Sequence, residues 1–189
     1  MKTETKVLTV MLADRNESYS IRQLAMRSGA GYKIVHTAVQ MLYKKGVLEK
    51  KPFGGSIAIS LSGKFSPAIA TAELDRRTAL LKHSNFSAIY EKLAGLKFPL
   101  MALVFGSYAK GAARKDSDMD LLVVCTKGHE SAVNDVLGIL PLKIHLVVLS
   151  YEDFLSMEKS KEFTVVSEAI KSNVILIGIE DFYRLVGHA

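Results

Sequence analysis

The chain contains one cysteine among its 189 residues, so it cannot form an internal disulfide bond. That residue, Cys125, lies in an apolar stretch, where a thiol packs as a small hydrophobic side chain rather than acting as a nucleophile. No apolar run reaches the roughly 20 residues of a membrane-spanning helix. The charged, polar first six residues lack the apolar core of a signal peptide. These absences predict a soluble cytoplasmic protein with no membrane partner.

Positive charge is concentrated in the first third of the chain. Residues 1–66 contain 11 Lys or Arg and 4 Asp or Glu, whereas residues 67–189 contain 14 and 15, so the net charges are +7 and −1. Such asymmetry predicts a nucleic-acid partner for the N-terminal part. About half of the residues are hydrophobic, which is enough for one large core or two small ones. We therefore predict two domains, residues 1–66 and residues 67–189.

The N-terminal residues show a recognisable order of predicted elements. Helical patterns cover residues 6–13, 20–26 and 32–45, and strand patterns flank a Pro-Phe-Gly-Gly turn at residues 47–51 and 56–61. Three helices and a two-stranded hairpin resemble a winged helix-turn-helix domain. In that domain the helix after the turn enters the major groove of DNA, and the hairpin contacts the backbone.

Helical spacing separates two faces of the third predicted helix. The predicted buried stripe consists of Ile34, Val35, Ala38, Met41 and Leu42. On the other face, lysines are suited to phosphates, and Thr37 or Gln40 to base edges. The predicted DNA-binding residues are Tyr32, Lys33, His36, Thr37, Gln40 and Lys44 on the helix, with Lys50 and Lys51 on the hairpin. A solvated basic face and a winged helix used for dimerisation are the alternatives.

A predicted phosphate-binding turn follows an apolar strand in the second domain. Residues 99–105 have strand length and end abruptly at Gly106, after which Ser107 begins a short predicted helix over residues 108–113. Glycine lets the backbone approach a ligand closely. Free backbone N–H groups at the start of a helix suit a phosphate group.

Two aspartates follow this turn at the head of the next apolar strand. Asp118 and Asp120 are spaced i and i+2, so their side chains are predicted to share one face of the strand. Two adjacent carboxylates repel each other unless a cation lies between them. Hard oxygen ligands with room for triphosphate oxygens suit Mg²⁺. The turn and the acid pair together indicate chemistry on a nucleoside triphosphate.

The Gly-Ser turn, Gly111 and the run Ser-Asp-Met-Asp-Leu at residues 117–121 resemble the signature of the DNA polymerase beta-like nucleotidyltransferase superfamily, especially its minimal branch. The resemblance implies an α/β fold, with a mixed sheet and flanking helices behind the N-terminal winged helix-turn-helix. It also implies that Asp118 and Asp120 are catalytic and hold the metal ions that promote in-line attack on the α-phosphate. The nucleotide-binding residues predicted around the turn are Gly106, Ser107, Lys110 and Arg114.

The chain departs from this family at a third carboxylate, which the family supplies from a following strand. The strand candidate covers residues 143–149, and the aligned position holds His145. Imidazole is a poor ligand for Mg²⁺. Three interpretations are open: His145 acts as a neutral general base, a nearby acid such as Asp116, Glu152 or Asp153 substitutes, or catalysis is lost.

The remaining patterns complete an alternating α/β order. Residues 68–96 predict a long helical lead-in whose charges, Asp75, Arg76 and Arg77, form a solvated face. Further helices are predicted over residues 130–137, 152–157 and 162–171, and a strand over residues 174–178.

We therefore expect a DNA-binding protein whose C-terminal domain binds NTP and Mg²⁺ and, if active, transfers a nucleoside monophosphate to a hydroxyl acceptor. The alternative is a transcriptional regulator that uses the same fold without turnover, as a nucleotide sensor or dimerisation scaffold. Relatives of the minimal branch often work beside a partner protein in toxin–antitoxin pairs, so the resemblance implies a protein partner. Two-fold DNA sites would favour a homodimer.

Overall fold

The computed structural model describes residues 2–114, 116–160 and 162–186. By compactness the chain divides into two units, Met1–Asp75 and Arg76–Ala189, which are considered separately below. The domain boundary predicted from the sequence, between residues 66 and 67, stays a prediction. No helix in the described part of the chain combines the length and the apolar character that crossing a membrane requires.

The N-terminal unit contains the predicted helices and hairpin in the predicted order. The helices are α1 (Thr3–Leu12), α2 (Ile21–Ser28) and α3 (Tyr32–Lys44), and the strands are β1 (Leu48–Phe53) and β2 (Ser56–Leu61). The strands pair antiparallel from Leu48 opposite Leu61 to Phe53 opposite Ser56. Tyr19 adds a single antiparallel bridge to Ile59. The helix α4 (Pro67–Leu80) follows the hairpin.

Local sequence signals explain where α2 begins and ends. Ser20 and Gln23 form a capping box, in which the Ser20 hydroxyl accepts from the Gln23 backbone N–H and the Gln23 side chain accepts from the Ser20 N–H. Gly29 ends the helix in the left-handed conformation, with φ 65°, which glycine adopts at low cost. Ser20, Gln23 and Gly29 therefore fix where α2 begins and ends, and hence where the turn into α3 starts.

The predicted buried stripe of α3 is partly wrong. Ile34 and Met41 are 59% and 45% exposed, whereas Val39 is fully buried. The buried residues of this helix are Val35, Ala38, Val39 and Leu42. They follow the spacing i, i+3, i+4, i+7 of a single helical face. Ile34 precedes Val35 by one residue, about 100° around the helix, so the two cannot both face the centre of the core.

The C-terminal unit is built on a four-stranded mixed sheet. The strands are β3 (Leu100–Val104), β4 (Met119–Cys125), β5 (Ile144–Ser150) and β6 (Val174–Ile177), in the spatial order β5-β4-β3-β6. Strand β3 runs antiparallel to β4 and β6, and β4 runs parallel to β5. The predicted mixed sheet is confirmed.

Helices cover both faces of this sheet. They are α5 (Ser84–Ala94), α6 (Gly106–Ala109), α7 (Glu130–Gly138), α8 (Tyr151–Glu158), α9 (Val165–Lys171) and α10 (Ile179–Val186). Alternate residues of β4 enter two different cores: Leu121 packs in the cluster with Phe86 and Val133, and Leu122 packs in the cluster with Phe154. Strand residues i and i+2 share a face, so this alternation follows from the pleat.

Several predicted boundaries in this unit are wrong. The helical lead-in is two helices, α4 and α5, separated by residues 81–83. The short helix expected over residues 108–113 is α6, which begins at Gly106. Helix α9 begins at Val165 because Thr164 and Ser167 form a capping box there. Helix α10 was not predicted.

The interpretation of Arg76 and Arg77 as part of a solvated face is also wrong. Arg76 is only 7% exposed and donates to the backbone oxygen of Asn173. Arg77 donates to the Leu176 oxygen at 3.3 Å. Both acceptors lie on or beside β6, at an edge of the sheet. The two arginines therefore satisfy carbonyl groups that an edge strand leaves unpaired.

Candidate active site

The turn after β3 brings the backbone against a carboxylate of β4. Gly106 has φ 65°, and a Cβ atom added there would lie 2.0 Å from Asp120 Oδ2. The Phe105 N–H donates to the Asp120 backbone oxygen at 3.0 Å, which joins the end of β3 to the start of β4. Glycine is required at this position both by the backbone conformation and by the space that the carboxylate occupies.

His145 lies directly beside Asp120. The parallel register of β4 and β5 pairs the two residues, and His145 Nδ1 is 3.1 Å from Asp120 Oδ1. An ionised carboxylate can only accept, so Nδ1 is the donor in this contact, and a neutral imidazole then keeps its lone pair on Nε2. The His145 side chain is 66% exposed and the Asp120 side chain 26%. The Asp120–His145 pair is therefore accessible from solution.

Asp118 lies one residue before β4 rather than within it. Met119, between the two aspartates, is buried in the core, whereas Asp118 is exposed. The preceding turn is closed by a hydrogen bond from the Arg114 backbone N–H to Ser117 Oγ at 2.8 Å. Ser117 thus shapes the turn, as a serine commonly does.

The two predicted cationic residues of the turn differ in their surroundings. Lys110 Nζ lies 3.1 Å from Glu168 Oε1 on α9, and both side chains are partly exposed. Arg114 is exposed in the segment between α6 and β4. The structure therefore brings Gly106, Asp120 and His145 into contact, whereas Lys110 pairs with an acid that sequence reasoning did not identify.

Two of the acids considered as substitutes for the third carboxylate lie elsewhere. The β4–β5 register pairs Cys125 with Ser150, five residues along both strands from Asp120 and His145. Glu152 and Asp153 follow Ser150 on α8, and Asp153 accepts a hydrogen bond from the Ser150 hydroxyl at 2.7 Å. Five residues of strand span about 16 Å. These acids therefore lie toward the opposite end of the sheet.

Asp116 and Cys125 are the remaining candidates for metal binding or nucleophilic chemistry. Asp116 is exposed in the turn before Asp118. Across residues 2–114, 116–160 and 162–186, no group of three or more His, Cys, Asp or Glu side chains is arranged to hold a metal ion. Cys125 is fully buried, and burial together with the charge of Glu130 raises the pKa of its thiol. The prediction of a packed thiol is confirmed.

The residues predicted to bind DNA lie on the outer side of α3 and on β1. Tyr32, Lys33, His36, Thr37 and Lys44 are exposed, as is Lys51 on the hairpin. Polar contacts join Lys50 of the hairpin to α3. Lys50 Nζ donates to Gln40 Oε1 at 2.6 Å, and Gln40 Nε2 lies 3.4 Å from His36 Nε2. Lys50 Nζ also lies 4.1 Å from the ring centroid of Tyr43, a residue that the prediction missed.

Part of the C-terminal unit matches a known protein family. Residues 88–181 match the family described as polymerase beta, nucleotidyltransferase. Comparisons with curated proteins and with solved structures give no significant match. The matched residues include all four strands of the mixed sheet, the turn at Gly106 and both aspartates. The C-terminal unit therefore contains a nucleotidyltransferase-like domain of the polymerase beta type.

Proposed function

We propose that the C-terminal unit transfers a nucleoside monophosphate from an NTP to a hydroxyl acceptor, and that the N-terminal unit binds DNA. The observation that carries the first part is the position of Asp120, whose carboxylate lies against the Gly106 turn and beside His145. The Gly106 turn and the His145 imidazole thus both lie against the Asp120 carboxylate. Nucleotidyl transfer can use such groups to bind phosphates, to hold a metal ion and to accept a proton.

Asp118 and Asp120 are the residues that would hold Mg²⁺. Their chemistry fits the ion, because Mg²⁺ takes oxygen ligands and is commonly held through one or two carboxylates together with substrate phosphates. When bound, Mg²⁺ offsets the negative charge of the triphosphate and of the leaving pyrophosphate. Asp118 is exposed and Asp120 partly so. The carboxylates are therefore open to a nucleotide from solution.

The turn supplies the binding groups for the triphosphate. Gly106 and Ser107 present backbone N–H groups and a hydroxyl, and the missing Cβ of Gly106 lets the Asp120 carboxylate lie beside them. Lys110 and Arg114 add positive charge near the same turn. Because Lys110 is paired with Glu168 on a partly exposed surface, a phosphate would compete with Glu168 for its ammonium group.

His145 is the proposed general base. Its Nδ1–H points at Asp120 Oδ1, which orients the ring and leaves Nε2 to accept a proton from the acceptor hydroxyl. A carboxylate hydrogen-bonded to one ring nitrogen also stabilises the imidazolium that forms when the other takes a proton. The Asp120–His145 pair thus supplies a base at the place where the family has a third carboxylate.

Nucleotidyl transfer is tested by incubating the purified protein with each labelled NTP and Mg²⁺, alone and with cell extract. We expect label on a macromolecule or a small hydroxyl compound, and a loss of at least about 100-fold in Asp118→Asn, the usual size for removal of one charge-stabilising group. Glu152→Gln is the control, because Glu152 is an exposed acid on α8, toward the opposite end of the sheet. Equal labelling by wild type and Asp118→Asn would overturn the proposal.

DNA binding is supported by charge and by exposure. The net charge of +7 in residues 1–66 includes Lys33 and Lys44, which are both exposed on α3. Lys50 joins the hairpin to α3 through Gln40, so the helix and the hairpin present one continuous polar surface. A helix and an adjacent hairpin with several lysines suit a duplex with phosphates on both sides of its groove.

Replacing Lys33 and Lys44 with alanine is expected to weaken DNA binding and to reduce the slope of log K against log salt by about 0.9 for each lost phosphate contact. The measurement is fluorescence anisotropy with a labelled duplex at several salt concentrations. Lys45→Ala is the matched control, because Lys45 Nζ is paired with Glu4 at 3.2 Å. An unchanged slope in the double variant would contradict the DNA-binding role of α3.

The second candidate function is a transcriptional regulator that uses the nucleotidyltransferase fold as a nucleotide sensor or dimerisation scaffold, without turnover. The observation that favours it is His145, which stands where the family supplies a carboxylate. This candidate predicts DNA binding that responds to NTP and no label transfer by the wild-type protein. A protein partner and a homodimer stay predictions under both candidates.

A further inference from the structure

We propose that this chain holds a single divalent cation with its nucleotide, because His145 takes the position from which a second cation would be bound. The inference rests on the proposed metal and nucleotide site at Asp118 and Asp120. It concerns how many cations that site holds.

The site carries too little negative charge for two divalent cations. Two divalent cations in one active site lie about 3.5–4 Å apart, so their mutual repulsion must be offset by shared carboxylates. The residue beside Asp120 on the neighbouring strand is His145. An imidazole carries no negative charge in either protonation state, and it is a poor ligand for Mg²⁺. The site therefore lacks the charge that would hold a second ion.

The hydrogen bond to His145 also uses part of the capacity of Asp120. Oδ1 lies 3.1 Å from His145 Nδ1, and Oδ2 lies where a side chain at Gly106 would be. Each carboxylate oxygen has about two lone-pair sites, so a cation at Oδ1 would compete with the imidazole N–H for that oxygen. A cation at Oδ2 would not compete with it.

Acids from elsewhere in the unit do not add charge for a second cation. Glu152 and Asp153 lie toward the opposite end of β5, and Asp153 is hydrogen-bonded to Ser150. The described residues contain no group of three or more His, Cys, Asp or Glu side chains that could hold a metal ion. Asp118 and Asp120 are therefore the proposed ligands, and they hold one cation together with the triphosphate.

The test counts bound Mn²⁺ on the full chain, with one equivalent of an NTP analogue whose α,β bond cannot be cleaved. Equilibrium dialysis gives the number of ions per chain, and electron paramagnetic resonance reports whether two ions are close enough to couple. We expect one Mn²⁺ and an uncoupled spectrum in the wild type. His145→Asp is expected to bind a second Mn²⁺ and to show a coupled spectrum. His145→Asn is the matched control without the charge, and it should keep one ion.

Two coupled Mn²⁺ ions in the wild type would overturn the inference while leaving the proposed function intact. A single ion in His145→Asp, or in His145→Glu if the aspartate variant fails to fold by circular dichroism, would also overturn it. No saturable Mn²⁺ in the wild type would overturn the metal and nucleotide site itself. The count does not depend on turnover, so the failures are distinguishable.

Discussion

Replacing Gly106 with alanine is expected to reduce nucleotidyl transfer by at least about 100-fold, the effect of misplacing a reacting group by about 1 Å. The new Cβ would lie 2.0 Å from Asp120 Oδ2 and 2.9 Å from Asp120 Cγ, so the carboxylate must rotate away. That rotation also breaks the contact between Asp120 and His145. Because φ at this position is 65°, an alanine would in addition cost about 1–2 kcal/mol of folding free energy.

Gly128→Ala is the control that separates backbone strain from the clash. Gly128 has φ 89°, and a Cβ there would have no atom within 4 Å. Both variants should lose stability in urea, but only Gly106→Ala should lose label transfer and Mn²⁺ binding. Equal transfer by the two variants would show that the position of the Asp120 carboxylate does not matter for the reaction.

Replacing Glu73 with glutamine is expected to lower the free energy of unfolding of the N-terminal unit by about 3–5 kcal/mol, the typical cost of removing one partner of a buried ion pair. Glu73 is fully buried, and its Oε1 lies 2.5 Å from Arg15 Nη2, whose side chain is 10% exposed. The substitution keeps the shape of the side chain and removes its charge. The Arg15 guanidinium would then lose the charge of this partner in a buried environment.

Urea unfolding followed by circular dichroism measures this loss. Glu4→Gln is the control, because both side chains of the Glu4–Lys45 pair are partly exposed and exposed pairs contribute about 0–1 kcal/mol. The double replacement Arg15→Met with Glu73→Leu should recover much of the stability, since apolar side chains of similar volume often replace a buried ion pair at little cost. A loss in Glu73→Gln no larger than in Glu4→Gln would contradict the importance of this buried pair.

Much of the candidate site could be predicted from short stretches of sequence. Gly106 ends an apolar strand, and the aspartates precede another, so strand pairing alone suffices to bring the turn near the acids. His145 could be aligned with the missing carboxylate because it lies near the start of the next predicted strand, residues 143–149. The observed β4–β5 register pairs those two residues.

Other features depend on contacts between residues far apart in the chain. The burial of Arg76 depends on the carbonyl of Asn173, 97 residues away, and the pairing of Lys110 depends on Glu168, 58 residues away. No local pattern contains these partners. Glu152 and Asp153 were plausible third acids because they are close in sequence to His145, yet β5 carries them to the opposite end of the sheet.

The sequence by itself determined the helices and hairpin of the first 66 residues, the basic excess there, and the order of the four strands of the mixed sheet. It also determined the turn with two aspartates that marks a polymerase beta-type nucleotidyltransferase-like domain. The tertiary structure alone decided that Asp120 touches both Gly106 and His145, and that Ile34 and Met41 lie outside the core of the N-terminal unit. The physical reason is that hydrophobic periodicity and turn preferences reflect interactions between residues only a few positions apart in the chain. Strand register and core packing instead depend on which distant segments meet.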